Sequence, residues 1–493
     1  MTRLKAALAI CLALCLALFV VRTISWPFVY DAALIRYANF LMQHHFAPYR
    51  DILDYNLPGS YFFDWLVVHT LGVSALAWRI YDLLLVAISG VAMYRIARPY
   101  SRFAGFYAAS LFAFFHARDG IGQSGQRDLL ITSLVLVGVA LLLAKPRKQG
   151  IMQGFLFGLL IGVAATIKPT AVVALPMALL LPHSDLRPKW RLKISAVLGG
   201  LMIAPLAALA WLYRMHSLAA FWTTLTEYIP MHAHLGNLGF WPLLTRCITA
   251  SHGTILALAV LLAFSDPQRE LRRIRIFLSA GMAFGLISYL VQAKGYPDHR
   301  YPFAAFLFLF AAIEFTHALR SPGYRRILGI MGLLFGTILS VLSMERAVRD
   351  HWPAEPVASL TRDLNALGGA ALTNDIQCLD TVDGCIETLY DMRLVQRTGF
   401  VYDEFLFTSP GAVSSRQAVV REQLRERFLD QLVSRPPRVI VVMPRLFPLG
   451  PDHYAKLDRW PDFVRFLDRC YRLQTQRTFA GKQGYDGGYR LYL

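Results

Sequence analysis

The chain has 493 residues, 56% hydrophobic and 17% charged, with a mean hydropathy of +0.43, which excludes an ordinary soluble protein and points to a polytopic membrane protein. A formal charge of +18 would suggest nucleic-acid binding in a soluble chain. Membrane proteins collect Lys and Arg on cytoplasmic loops for topological reasons, so nucleic acid is not an expected partner here.

In chain order, MTRLKAALAICLALCLALFVV pairs a basic start with an apolar run long enough to span. No small-x-small cleavage site precedes Trp26, so it reads as an uncleaved first helix rather than a signal peptide. Cys11 and Cys15, one turn apart inside it, read as packing or lipid-facing residues. Next comes Trp26 to Tyr61, aromatic at its root and carrying Asp31, Arg36, Arg50, Asp51 and Asp54. This stretch is expected on the outer membrane face, with interfacial helices over about 31–73, at Arg36 to Phe46 and Leu57 to Thr70. Pro58, Gly59 and Asp64 argue against a span in the second of these, and counting it as one would invert every later loop.

Further apolar windows recur at 77–94, 103–117, 129–144, 150–167, 169–182, 194–213, 250–264, 274–292, 302–319 and 327–343, giving about eleven spans with the first. Basic clusters mark alternate connections: Arg95, Arg98 and Arg102; Lys145, Arg147 and Lys148; Arg187, Lys189, Arg191 and Lys193; Arg269, Arg272, Arg273 and Arg275; Arg320, Arg325 and Arg326. The positive-inside rule places these and the N-terminus in the cytoplasm and leaves the C-terminus outside. From about Glu345 the composition becomes that of a soluble α/β module, with strands expected at Ala370 to Thr373, Val439 to Met443 and Tyr489 to Leu493, and helices at Ser415 to Val433 and Trp460 to Cys470. Cys378 and Cys385 in this region suit a local disulfide; they are too few ligands for a zinc site.

Chemistry is sought where charge survives at the outer ends of spans. Asp31 follows span 1 where a carboxylate can sit near acyl depth and still reach water, as a general base requires; the alternative is a helix N-cap. In HARDGIGQSGQRDLL, Arg118, Asp119, Arg127 and Asp128 either pair internally or let Asp128 join Asp31 in holding an acceptor or a divalent metal. Lys168, fixed by Pro169, and the basic aromatic turn QAKGYPDHRYPF with Lys294, His299, Arg300 and Tyr301 offer donors for a phosphate; snorkelling anchors are the other reading. The histidine pairs His44/His45 and His232/His234 are each too small for a metal site. There is no internal repeat, Gly-rich phosphate loop, HExxH or GxSxG signature.

An acid just after span 1 (Asp31), a long first outer loop ending in NLPGSYFFDWL, an acid in the second outer loop (Asp128) and the Lys168-Pro169 turn resemble the GT-C membrane glycosyltransferases, the superfamily of protein O-mannosyltransferases and lipid A aminoarabinose transferases (glycosyltransferase families 39 and 83). The resemblance departs in one respect, since relatives often have an Asp-Glu pair where Asp31 is followed by Ala32. It implies a mainly α, GT-C type bundle in a bacterial inner membrane, a polyprenyl-phosphate sugar donor, an envelope lipid, polysaccharide or protein acceptor, and inversion at the anomeric carbon. Residues 1–344 would form the membrane domain and 345–493 a periplasmic α/β domain. On this reading Asp31 and Asp128 are catalytic, Arg50, Lys168, Lys294 and Arg300 bind the donor phosphate, and Arg127, His299 and Tyr301 complete the site, with a divalent metal as a possible cofactor. Flippases of lipid-linked glycans and polysaccharide polymerases or ligases are the rival classes; the charges cluster at outer ends rather than at the midplane where transporters place them.

Overall fold

The computed structural model describes residues 2–144, 150–180, 190–266, 269–350, 352, 354–381, 383–409, 414–448, 454–479 and 487–493. The basic residues Lys145, Arg147, Lys148, Arg187 and Lys189 lie outside them.

A helix occupies each apolar window: α1 (Thr2–Thr23), α4 (Ala75–Ala97), α5 (Arg102–Asp119), α6 (Arg127–Leu143), α7 (Ile151–Ala165), a 3-10 helix (Pro169–Leu179), α8 (Trp190–Arg214), α12 (Ala250–Phe264), α13 (Arg269–Gln292), α14 (Tyr301–Ala318) and α15 (Tyr324–Arg349). Among the described residues six are long and apolar enough to cross a membrane, or seven if α11 (Phe240–Cys247) and α12, which meet at 71°, form one bent span. The rest pack among these six. α14 is apolar all round and buried from Tyr301 to Thr316, so it is the axis of the bundle. By contrast α15 turns Ile327, Met331, Leu334 and Ile338 outward, the stripe of a helix facing lipid.

α7 and α8 touch through glycine. An added Cβ at Gly158 would lie 1.9 Å from the Val197 carbonyl oxygen, and one at Gly200 would lie 2.2 Å from that of Phe155. Small residues are what let two backbones meet in this way where water supplies no driving force.

Two short helices follow α1. α2 (Asp31–Gln43) is buried from Ala32 to Leu41, which corrects the expectation of a helix lying in the interface: the C-terminal residues cover it. α3 (Pro58–Thr70), at thirteen residues about 20 Å long, is too short to cross. It leaves Phe62, Trp65 and Leu66 exposed while Asp64 turns inward to meet Arg36 at 3.0 Å. α9 (Leu218–Thr223), α10 (Ile229–His234) and α11 connect α8 to α12 at the same end of the bundle.

After α15 the chain builds α16 (Glu355–Leu367), β1 (Ile376–Leu379), α17 (Cys385–Asp391), α18 (Glu404–Phe407), α19 (Ser415–Ser434), β2 (Val439–Val442), α20 (Pro461–Cys470), β3 (Leu473–Phe479) and β4 (Gly487–Tyr492). The sheet order is β1-β2-β4-β3, with β1 and β2 parallel and the other pairs antiparallel. The first strand is Ile376–Leu379 rather than the expected Ala370 to Thr373: Gly369–Leu372 is a 3-10 turn, because Gly368 and Gly369 take positive φ and break extension. β3 was missed because Leu473 to Phe479 mixes Gln, Thr and Arg and is largely exposed. A disulfide joins Cys378 at β1 to Cys385 at the start of α17.

This module seats on the bundle through α2. Tyr37 donates its hydroxyl to the Leu394 carbonyl at 3.0 Å and accepts from the Gln396 amide at 2.9 Å. The opposite end is polar in its own way: Arg275 grips Glu314 at 2.7 Å, and Asp266 accepts from Arg325 at 2.7 Å and contacts His317 at 2.9 Å. Gly158→Val is expected to cost about 2 kcal/mol by overpacking the α7–α8 seam. Gly199→Ala, with open space at its Cβ, should stabilise by roughly 0.5 kcal/mol. Thermal melting in detergent compares them, and equal midpoints would contradict the seam.

Candidate active site at the module end of the bundle

The chain leaving α1 turns at Tyr30, a non-glycine residue at φ 56°, and this turn aims Asp31 across the bundle end. Asp31 starts α2, yet its carboxylate caps nothing; Oδ2 accepts from Arg127 Nη2 at 2.7 Å. Arg127 also donates through Nη1 to Asn56 Oδ1. Asn56 is itself fixed: its Nδ2 donates to Asp54 at 2.8 Å and to the Tyr402 hydroxyl at 2.9 Å. Asp54 is buried, and accepts from Tyr61 OH at 2.8 Å and the Asn56 amide at 2.9 Å. Burial pushes the Asp54 carboxyl upward, and its partners are all protein groups: Asn56 and Tyr61.

Asp128, the next residue along α6, points the other way. It receives the Lys168 ammonium, which also donates to Gln292 Oε1 at 2.8 Å. His299 Nε2 stands 3.9 Å from the same carboxylate oxygen. Asp298 completes the cluster: Asp128, Asp298 and His299 bring three ligand atoms within 4.8 Å of one another. Two carboxylates and an imidazole suit a divalent cation by donor type, and buried His299 Nδ1 lacks a partner. The Lys168 ammonium already pairs with one oxygen of the Asp128 carboxylate. Exposure separates the two acids, since Asp31 is 37% exposed and Asp128 2%.

The wall beside this network is aromatic and draws on three parts of the chain. Tyr402, Tyr55, His232 and Phe447 stack in series at 4.6, 4.0 and 5.1 Å between centroids. His232 Nδ1 also meets Glu404 at 2.7 Å.

Asp31, Arg127, Asp128, Lys168 and His299 are thus gathered at one place; four other residues expected in the site are engaged elsewhere. Arg50 is about half exposed and holds its neighbour Asp51 at 2.8 Å, because both side chains project from one turn. Lys294 donates to the carbonyls of His232, Ala233 and Leu235 at the end of α10, and burial lowers its pKa to about 8. Arg300 points away from His299, pairing with Asp119 at 2.9 Å and covering the Phe115 ring. Tyr301 lies in the core with its hydroxyl 2.9 Å from His116 Nδ1. Sequence reasoning missed Asn56, Gln292, Asp298 and Tyr402. Asp298 was legible, being an acid beside His299 at the mouth of a span; Asn56 and Tyr402 are ordinary loop residues whose role needs the fold.

With this geometry in hand, comparisons with known proteins are informative. The model of the dolichyl-phosphate-mannose-protein mannosyltransferase family matches residues 57–213. No curated protein sequence matches the chain. ArnT from Cupriavidus metallidurans in its apo state aligns with a TM-score of 0.55 at 11% identity, covering 99% of this chain and 98% of that one. The same protein bound to undecaprenyl phosphate gives 0.53 at 12% identity and the same coverage. The archaeal oligosaccharyltransferase AglB from Archaeoglobus fulgidus, in complex with an inhibitory peptide and a dolichol-phosphate, gives 0.53 at 9% identity, with 97% of this chain and 73% of that one covered. The family model matches the part of the chain from residue 57 to residue 213, and the whole-chain likeness to these solved structures is one of fold.

Proposed function

We propose that the protein moves a sugar from a polyprenyl-phosphate donor to a cell-envelope acceptor, at the outer face of a bacterial inner membrane. The observation that carries this reading is one accessible carboxylate, Asp31, paired with Arg127, with the Lys168–Asp128 pair at the next residue of α6, so that two partly exposed cations stand where the bundle meets the module. Family and fold support the donor class: relatives of this fold were solved with undecaprenyl phosphate and with a dolichol-phosphate. The chain crosses eleven times on this reading, with the N-terminus cytoplasmic, residues 1–344 in the membrane and 345–493 outside. The arginines and acids at the opposite end, Arg275, Arg325, Glu314 and Asp266, then face the cytoplasm, as the positive-inside rule asks.

In the reaction an acceptor hydroxyl attacks the anomeric carbon, the carbon–oxygen bond to the lipid phosphate breaks on the opposite face, and configuration inverts. Asp31 takes the hydroxyl proton. Arg127 holds Asp31 in place and, with Lys168, faces the charge growing on the leaving phosphate. Asp128 pairs with Lys168 and aims it. Lys168 does the neutralising, so transfer proceeds without a divalent cation.

Asp31→Asn should lower transfer by 100-fold or more, on the order of a general base's contribution, with an unchanged melting temperature. The assay follows release of free polyprenyl phosphate from labelled donor by the purified protein; intact donor moved between leaflets would indicate a flippase instead. Chelation by EDTA should leave turnover unchanged, and loss restored by added Mg²⁺ or Mn²⁺ would transfer the neutralising role from Lys168 to a metal at Asp128, Asp298 and His299. Lys168→Met strands a buried carboxylate and should cost about 3 kcal/mol. Adding Asp128→Leu should recover much of that loss; additive losses in the double variant would show that the pair is not coupled.

A further inference from the structure

A second polar site lies on the other side of the 119–126 loop from Asp31. It is a cavity of about 810 Å³ between the end of α5, with Arg118 and Asp119, the start of α12, and the last turns of α15, with Leu342, Arg346 and Arg349. That volume is in the range of ligand pockets. Its acids are all engaged. Asp119 pairs with Arg300 at 2.9 Å, Glu345 with Arg349 at 2.7 Å, and Asp350 accepts the Ile121 amide at 2.9 Å. Among the described residues Arg118 and Arg346 form no ion pair, although both stand where the bundle ends. Two guanidiniums outside these pairs make a site for an anion, and their forked donors fit a phosphate.

The floor of the cavity says what carries that phosphate. Leu342, 52% exposed, opens the cavity sideways, and the outward stripe of Ile338, Leu334, Met331 and Ile327 continues from it down α15. Between α5, α12 and α15 a narrow cleft shares Arg118, Ser251, Leu339 and Ser343 with the cavity and is lined further by Phe114, Phe115, His252, Ile255 and Phe308. A free anion has no use for this descent, whereas a lipid has a headgroup at the arginines and a chain along the stripe. Asp119 Oδ2 is buried without a hydrogen-bond partner and can accept from a hydroxyl next to the phosphate.

We infer that Arg118 and Arg346 form a binding site for the phosphate of a membrane lipid, whose hydrocarbon chain lies along the outward face of α15. This site is separate from the Asp31 network, and its variants touch none of that network's residues.

The test uses the purified full-length protein in neutral detergent, with lipid retention counted by native mass spectrometry. Phosphatidylglycerol and a polyprenyl phosphate are offered separately and then at equal mole fraction, with phosphatidylcholine as background and inorganic phosphate as competitor. One anionic lipid per chain should be retained, and Arg118→Gln with Arg346→Gln should reduce retention at least tenfold. Arg349→Gln, which removes an arginine already paired, should leave it unchanged. Preference in the mixture identifies the lipid class, and either preference supports the site. Retention unaffected by the double variant overturns the proposal, as does displacement by inorganic phosphate at the lipid's own concentration, which would mark a free-anion site. If the double variant fails to fold, Arg346→Gln alone at the exposed end of α15 decides, with a loss of severalfold expected and unchanged retention overturning it.

Discussion

Two neighbouring residues in the first turn of α6, Arg127 and Asp128, carry opposite charges in opposite directions, and the end of the bundle is arranged around that split. Arg127 reaches α2 through Asp31 and the first loop through Asn56; Asp128 reaches the turn between α7 and the 3-10 helix through Lys168. A carboxylate 2% exposed is costly unless a cation answers it, so the position of Lys168 follows from that of Asp128. The N-terminus of α6 adds its own positive end to the same carboxylate. Three segments distant in sequence are therefore tied to one helical turn.

That turn is itself fixed from below. The loop leading into α6 is anchored by the Gly125 amide, which donates to Asp82 Oδ1 at 2.5 Å. Asp82 is fully buried and balanced by Arg79 and by His116, which stands 3.0 Å away and in turn meets Tyr301. Arg79 continues to Thr23 Oγ1 at 2.5 Å, at the end of α1, just before the turn that presents Asp31. Gly125 takes φ +66° with the Trp78 ring 2.5 Å from where a Cβ would be, so no other residue fits. Tyr301 thus serves the site by holding its foundation, not by facing a ligand. The core network and the surface network share the α1 exit and the α6 entry.

How much of this was legible depends on the kind of signal. Apolar windows are read by length and hydropathy, both properties of one segment, and a helix was found in each. Asp31, Arg127, Asp128, Lys168 and His299 stood out because charge at the end of a span is expensive. The same rule ought to have singled out Arg79 and Asp82, charged residues inside an apolar window, and Asp298. Cations were harder: a list of Lys and Arg at one membrane face does not reveal which are already used. Arg36 closes on Asp64, Arg50 on its own neighbour, and Lys294 on three carbonyls. These partners come from loops whose meeting depends on the whole fold. The burial of α2, expected as an interfacial helix, went unread for the same reason, since its cover arrives from residues beyond 375.

The distribution of spent and unspent charge then separates structural cations from those able to meet a ligand. Lys294 has all its donors on backbone carbonyls in a buried setting, and burial lowers its affinity for the proton; recruiting it would uncap α10. Arg127 and Lys168 are paired too, but with carboxylates and in partial contact with solvent, so on the proposed reading an incoming phosphate would compete with one acid at each. Exchange of one anion for another across a fixed guanidinium requires little reorganisation, which is the condition under which electrostatic stabilisation of a leaving group is effective. The aromatic series from Tyr402 to Phe447 matters here because it joins the first loop, α10 and the C-terminal residues into one wall. A site assembled from so many segments keeps its geometry only if those segments cannot move independently, and it is the stack together with the Asp54–Asn56–Arg127 chain of hydrogen bonds that prevents them from doing so.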